Sequence, residues 1–138
     1  MKTETVWLDE LTMPEAEQAA EKNKIVILPV GSVEEHGKHL PLCTDSLQPE
    51  NVAFEVAKKA GCLVAPSIRY GVCSGTQYYP GTISVSFDSL HGMVRDVLDE
   101  LVRQGFKRLI VLSGHAGSLH MAALKLAARG VLDKYAEE

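Results

Sequence analysis

Apolar residues fall into two kinds of run along this chain. Short, nearly unbroken runs, "KIVILPV" at 24–30, "CLVAP" at 62–66 and "RLIVLSG" at 108–114, predict strands, and the first and last read as strands buried on both faces. Between them, apolar residues spaced three or four apart predict amphipathic helices. "TMPEAEQAAEKN" opens with Thr12 as N-cap, Pro14 in the first turn and Glu15 three residues after the cap, the pattern of a capping box. "PENVAFEVAKKAG" sets Val52, Ala53, Val56, Ala57 and Ala60 on one face and stops at Gly61. "DSLHGMVRDVLDELVRQG" repeats the formula, with Asp88 as cap, a stripe of Leu90, Val94, Val97, Leu98 and Leu101, and Gly105 as stop. In "SLHMAALKLAARG" the inward residues are expected to be Leu119, Ala122, Ala123 and Leu126. His91 and His120 lie inside helical patterns and are expected at the surface. Strands alternating with helices predict one α/β domain over residues 1–138, a three-layer α/β/α arrangement with a mostly parallel sheet covered on both faces.

Composition narrows the partners. The 138 residues are enough for one domain with a hydrophobic core. Fourteen Lys and Arg against eighteen Asp and Glu give a net charge of −4, scattered without a block of one sign, which argues against nucleic acid or an anionic membrane surface. No apolar run approaches the roughly 18 residues of a membrane span, and "MKTETVWLDE" lacks a signal-peptide pattern, so a cytoplasmic location is expected. Cys43, Cys62 and Cys73 match no zinc-ribbon or CxxC spacing and read as reduced thiols, with Cys43 a small apolar filler.

Candidate chemistry concentrates in two segments. "GSVEEHGKHLPLCTDS", 31–46, leaves the first predicted strand, and "SGHAGS", 113–118, leaves the last. Ligands of open parallel sheets bind beyond the carboxyl ends of the strands, so these loops should meet there and bring together Glu34, His36, Asp45 and His115. Carboxylates and imidazoles in this mixture suit Zn, Mn or Fe, and a carboxylate such as Asp45 could be shared by two ions. The plainer readings are a charged surface loop at "EEH", a helix N-terminus binding only an anion at "GHAG", and ordinary turn chemistry at Gly31, Gly37, Gly114 and Gly117. His39 either orients a ligand or caps the loop.

These segments resemble the creatininase (creatinine amidohydrolase) family. "LPVGSVEEHGKHLPLCTD" resembles its LPVG, Glu-x-His-Gly, second His and Asp signature, "YGVCSGTQYYPGTISVS" its segment ending in FPGT, and "LVRQGFKRLIVLSGHAGS" its Asn-Gly-His-Gly-Gly-Asn segment, in order from about Trp7 to Leu126. The resemblance implies the creatininase fold, with Glu34, His36, Asp45 and His115 as metal ligands and catalytic residues, Asp45 as the bridge. It also implies hydrolysis of a C–N bond in a small amide or cyclic amide by a metal-activated water. "YYPGT", with Tyr78, Tyr79, Gly81 and Thr82, and also His39, are then expected to line the substrate approach, the other reading being a turn around Pro80. Family members form homo-oligomers, hexamers among them, which implies self-association. Ser113 and Ser118 stand where asparagines are usual, Ala116 replaces a glycine, and Gly117 stands where many members carry a further Glu ligand. The chain is expected to correspond to the N-terminal part of a member, without the later segment that supplies the other version of that Glu. A non-catalytic, self-assembling metal-binding or structural module is therefore the alternative function.

Overall fold

A computed structural model describes residues 5–22 and 24–136. A 3-10 turn, Leu8–Glu10, precedes helix α1 (Met13–Glu21), strand β1 (Ile25–Val30), helix α2 (Thr44–Ala60), strand β2 (Leu63–Val64), helix α3 (Phe87–Arg103), strand β3 (Arg108–Ser113) and helix α4 (Ser118–Tyr135). The three strands are parallel, in the order β2-β1-β3.

Side chains of β1 alternate between two cores, as the twofold repeat of a strand requires. Val26, Leu28 and Val30 join the larger cluster with Leu90, Val94 and Leu98 of α3 and with Ala123, Leu124 and Ala127 of α4. Ile27 joins the other, with Ala53 and Ala57 of α2 and Val64 of β2. Helices thus cover both faces of the sheet in three α/β/α layers. Burying each Val, Leu or Ile stabilises the fold by about 1.5–3 kcal/mol, and β1, with both faces buried, anchors the sheet. No described helix is long and apolar enough to cross a membrane.

Several local expectations hold. The Glu15 carboxylate accepts the Thr12 backbone N–H at 2.8 Å, closing the capping box of α1. Gly61 takes the left-handed conformation (φ 70°) that ends α2, and Gly105 (φ 96°) follows α3. Others need correction. Helix α3 is capped by Ser86, which accepts from Ser89 N at 3.2 Å, and Asp88 lies inside the first turn. Strand β3 sits at the edge of the described sheet and is not buried on both faces; Ile110 is 46% exposed. On α4, Leu119 and Leu126 point outward while His120, Leu124 and Val131 are buried, because a helix rich in alanine and leucine all round offers several plausible stripes and packing against α3 selects one. His120, expected at the surface, is fully buried. On α2, Val52 and Val56 are exposed, and of the predicted stripe Ala53 and Ala57 are buried.

The correction that matters for function is the start of α2. The apolar pattern from Pro49 onward predicts this helix, yet it begins at Thr44 and Pro49 lies inside it. Asp45 is therefore a first-turn helical residue and not part of a loop. Pro49 has no N–H to donate to the Asp45 carbonyl four residues back. That carbonyl lies instead against the strand ends: a Cβ built on Gly31 would meet it at 2.4 Å, and one on Gly114 at 2.2 Å. Neither glycine is required for a left-handed turn, a role that falls to Gly37 (φ 68°). They allow α2 to rest directly on the ends of β1 and β3.

Candidate metal centre

The Asp45 carboxylate, held over the strand ends by this close approach, is nearly buried and lies between two imidazoles. His36 Nε2 stands 3.0 Å from Asp45 Oδ1, and His115 Nδ1 stands 2.8 Å from Oδ2. His115 Nδ1 is also 2.9 Å from Glu34 Oε2. The segment after β1 supplies Glu34 and His36, α2 supplies Asp45, and the segment after β3 supplies His115, so the four predicted residues do converge.

Each imidazole is anchored through its remaining nitrogen. His36 Nδ1 faces the Glu34 backbone carbonyl at 3.1 Å, and His115 Nε2 faces the Val72 carbonyl at 3.1 Å. With those N–H groups donating, His36 Nε2 and His115 Nδ1 are the nitrogens left to bind an ion. A backbone carbonyl of this kind fixes the tautomer of a ligating histidine. Bonds of about 2.1 Å to one ion place neighbouring ligand atoms roughly 3–3.4 Å apart, and the spacings here, 2.8, 2.9 and 3.0 Å, lie at or slightly below the short end of that range. The donor set therefore fits a divalent metal.

Surrounding groups keep the donors in place. Ser32, fully buried, donates to Asp45 Oδ2 at 3.0 Å, and Thr76 donates a short hydrogen bond to Glu34 Oε1. Burial pushes the Asp45 carboxyl up, but the neighbouring His115 ring, the Ser32 hydroxyl that donates to it and the nearby His36 outweigh it, and its pKa is lowered. The Glu34 backbone carbonyl is the main cause of a raised His36 pKa; partial burial opposes it and the Asp45 charge adds to it. Behind His115 lies His120, its ring edge-on at 4.8 Å between centroids. Its Nδ1 accepts from Val72 N at 3.3 Å, and its Nε2–H donates to Ser113 Oγ at 3.1 Å. The same hydroxyl donates to His115 O at 2.7 Å and accepts from His115 N at 3.2 Å. Burial, helped by His115, lowers the His120 pKa to about 4, so the ring is neutral and positions His115.

The chain matches the creatininase family model, described as creatinine amidohydrolase, over residues 9–138. The chain belongs to the creatininase family. Creatinine amidohydrolase of Pseudomonas putida is 38% identical over 119 residues, which are 82% of this chain and 46% of that protein. A crystal structure of creatininase aligns with a TM-score of 0.91 at 33% identity, covering 99% of this chain and 55% of that one. Another creatininase structure, "Creatininase Mn", aligns with a TM-score of 0.85 at 34% identity, covering 98% of this chain and 55% of that one. The chain thus spans about half the length of these relatives.

In this creatininase-family chain the remaining predicted residues stand apart from the cluster. His39, Tyr78 and Tyr79 are exposed, Tyr78 most of all. Gly81 (φ 86°) turns the "YYPGT" segment against Leu42, and Thr82 Oγ1 accepts the Glu35 N–H at 3.0 Å, tying that turn to the loop that carries Glu34 and His36. Gly117 offers no donor, and a Cβ there would meet His115 Nε2 at 2.6 Å. Ser32, Cys73, Thr76 and His120 were missed in the sequence. Ser32, directly beyond the strand end, and Cys73 and Thr76, inside a family-like segment, carried a positional signal.

Proposed function

We propose that this chain binds a divalent metal, Zn, Mn or Fe, through Glu34, His36, Asp45 and His115, and is the metal-bearing part of a hydrolase acting on the C–N bond of a small amide or cyclic amide. The observation that carries the proposal is the opposed anchoring of His36 and His115: each is tied by one nitrogen to a backbone carbonyl and turns the other on a different oxygen of Asp45. Asp45 would be the residue shared between two ions held here. A divalent ion bound here supplies Lewis acidity, which polarises a carbonyl and brings the pKa of water towards about 7.

This chain's own residues supply the rest. Ser32 and Thr76 orient Asp45 and Glu34 through their hydroxyls, and His120 and Ser113 fix the backbone that carries His115. Tyr78, Tyr79, Gly81, Thr82 and His39 form the approach for substrate, a reading supported by the bond from Glu35 to Thr82 that ties this turn to the ligand loop. We place the protein in the cytoplasm as a homo-oligomer. Cys43, Cys62 and Cys73 are free thiols, which supports the former. The edge position of β3, with Ile110 exposed, supports the latter.

Metal analysis of protein purified without chelator tests the centre. The wild type is expected to retain transition metal, His36→Ala and Asp45→Ala to lose most of it, and hydrolysis of a panel of small amides to follow metal content. Equal metal in all three proteins would refute the assignment.

A further inference from the structure

Beside the donors grouped on Asp45 lies a second set among the described residues: Cys73, Glu34 and His115 each offer one ligand atom, all within 4.8 Å of one another. Cys73 is buried, with its backbone N–H on Ser84 Oγ at 2.9 Å. Its thiol donates to the Gly71 carbonyl at 3.9 Å and lies near the Ser32 hydroxyl, which also serves Asp45. The backbone that carries it is closely fitted, since a Cβ on Gly71 would meet Gly31 O at 2.7 Å and His120 Nδ1 at 2.8 Å. Cys43 and Cys62 belong to neither set of potential ligands.

We propose that Cys73, as a thiolate, is a ligand of the ion held by Glu34 and His115, so that this position is a mixed carboxylate, imidazole and thiolate site that favours Zn(II) or Co(II) over Mn(II). The inference rests on the metal centre proposed above. A soft sulfur donor suits zinc and cobalt, whereas manganese prefers carboxylate and water oxygens. On binding, the S–H bond breaks, the proton leaves to solvent, and the sulfur lone pair forms the bond to the metal without change of oxidation state. The Glu34 carboxylate and the Cys73 thiolate bring two negative charges and the shared Asp45 a third, which offset the charge of a divalent ion in a buried setting.

Anaerobic titration of the metal-free protein with Co(II) tests this. The expected result is visible d–d absorption together with a near-ultraviolet sulfur-to-cobalt charge-transfer band. That band persists in the Cys43→Ser/Cys62→Ser double variant, where Cys73 is the remaining cysteine, and disappears in Cys73→Ser. Zn affinity should fall by more than about tenfold in Cys73→Ser, at least the loss seen when a supporting contact is removed, with a smaller change for Mn. Visible absorption without the sulfur band, or a band lost from the double variant, overturns the role of Cys73 and leaves the metal centre standing. Absence of any cobalt spectrum overturns both. The wild type and the double variant decide the matter even where Cys73→Ser does not fold.

Discussion

Alanine at Gly114 is the sharpest perturbation of how the centre is built. The new Cβ would lie 2.2 Å from Asp45 O and 2.5 Å from Pro49 Cδ, atoms of the first turns of α2. Carbon contacts settle near 3.5–4.0 Å, so the helix start must retreat by about 1 Å. Overpacking of this kind costs about 1–3 kcal/mol, which at about 4 °C per kcal/mol lowers the melting temperature by roughly 4–12 °C. The effect on metal should be larger in proportion. Ligand positions tolerate about 0.2 Å, and Asp45 is the carboxylate shared by both histidines. We expect Zn affinity to fall at least about 10–100-fold. Melting curves recorded with chelator isolate the packing cost, and competition against a chromophoric chelator gives the affinity. Wild-type values in both measurements would show that α2 shifts freely over the strand ends, and the close-approach argument would be wrong.

Gly130→Ala is the contrasting case. Gly130 lies in α4 with open space around its missing Cβ, so the substitution should stabilise the protein by about 0.5–1 kcal/mol in chemical denaturation, and a loss of stability would count against the described α4 surface. In metal-free protein, His120 titrates near 4 when folded against an ordinary 6.5. As pH falls from 6.5 towards 4 the unfolded chain takes up the proton first, and stability drops by up to about 3 kcal/mol. His36 works in the opposite sense, because its raised pKa stabilises the fold at low pH and that gain is lost as pH rises through it; the lowered Asp45 pKa matters only below the ordinary carboxylate range. Denaturation midpoints across pH 7 to 4.5 should therefore vary less in His120→Gln than in wild type, and parallel profiles would refute the role given to His120.

The main elements were legible because their signals are local. The stripe of Leu90, Val94, Leu98 and Leu101 on α3 is a true 3.6-residue pattern and all four are buried. Glu34, His36, Asp45 and His115 could be brought together from sequence because their segments leave the carboxyl ends of neighbouring parallel strands. The start of α2 was hidden, since a proline ordinarily marks a first turn and nothing local shows that two glycines elsewhere make room for an earlier one. Cys73, Thr76 and His120 act on partners distant in the chain, and no periodicity reports such contacts. The edge position of β3 was hidden as well, because an apolar run announces a strand and not its neighbours.

The register of the sheet also sets the order in which this protein can be made. Strand β1 meets β2 through only two residue pairs, Val26 with Leu63 and Ile27 with Val64, but meets β3 along its whole length, from Ile25 against Arg108 to Val30 against Ser113. A chain emerging from the ribosome must therefore hold β1 without its principal partner until residue 113 is synthesised. His115 emerges two residues later. The last of the proposed ligands thus arrives almost together with the strand that completes the described sheet, and before α4, whose Ala123, Leu124 and Ala127 close the larger core.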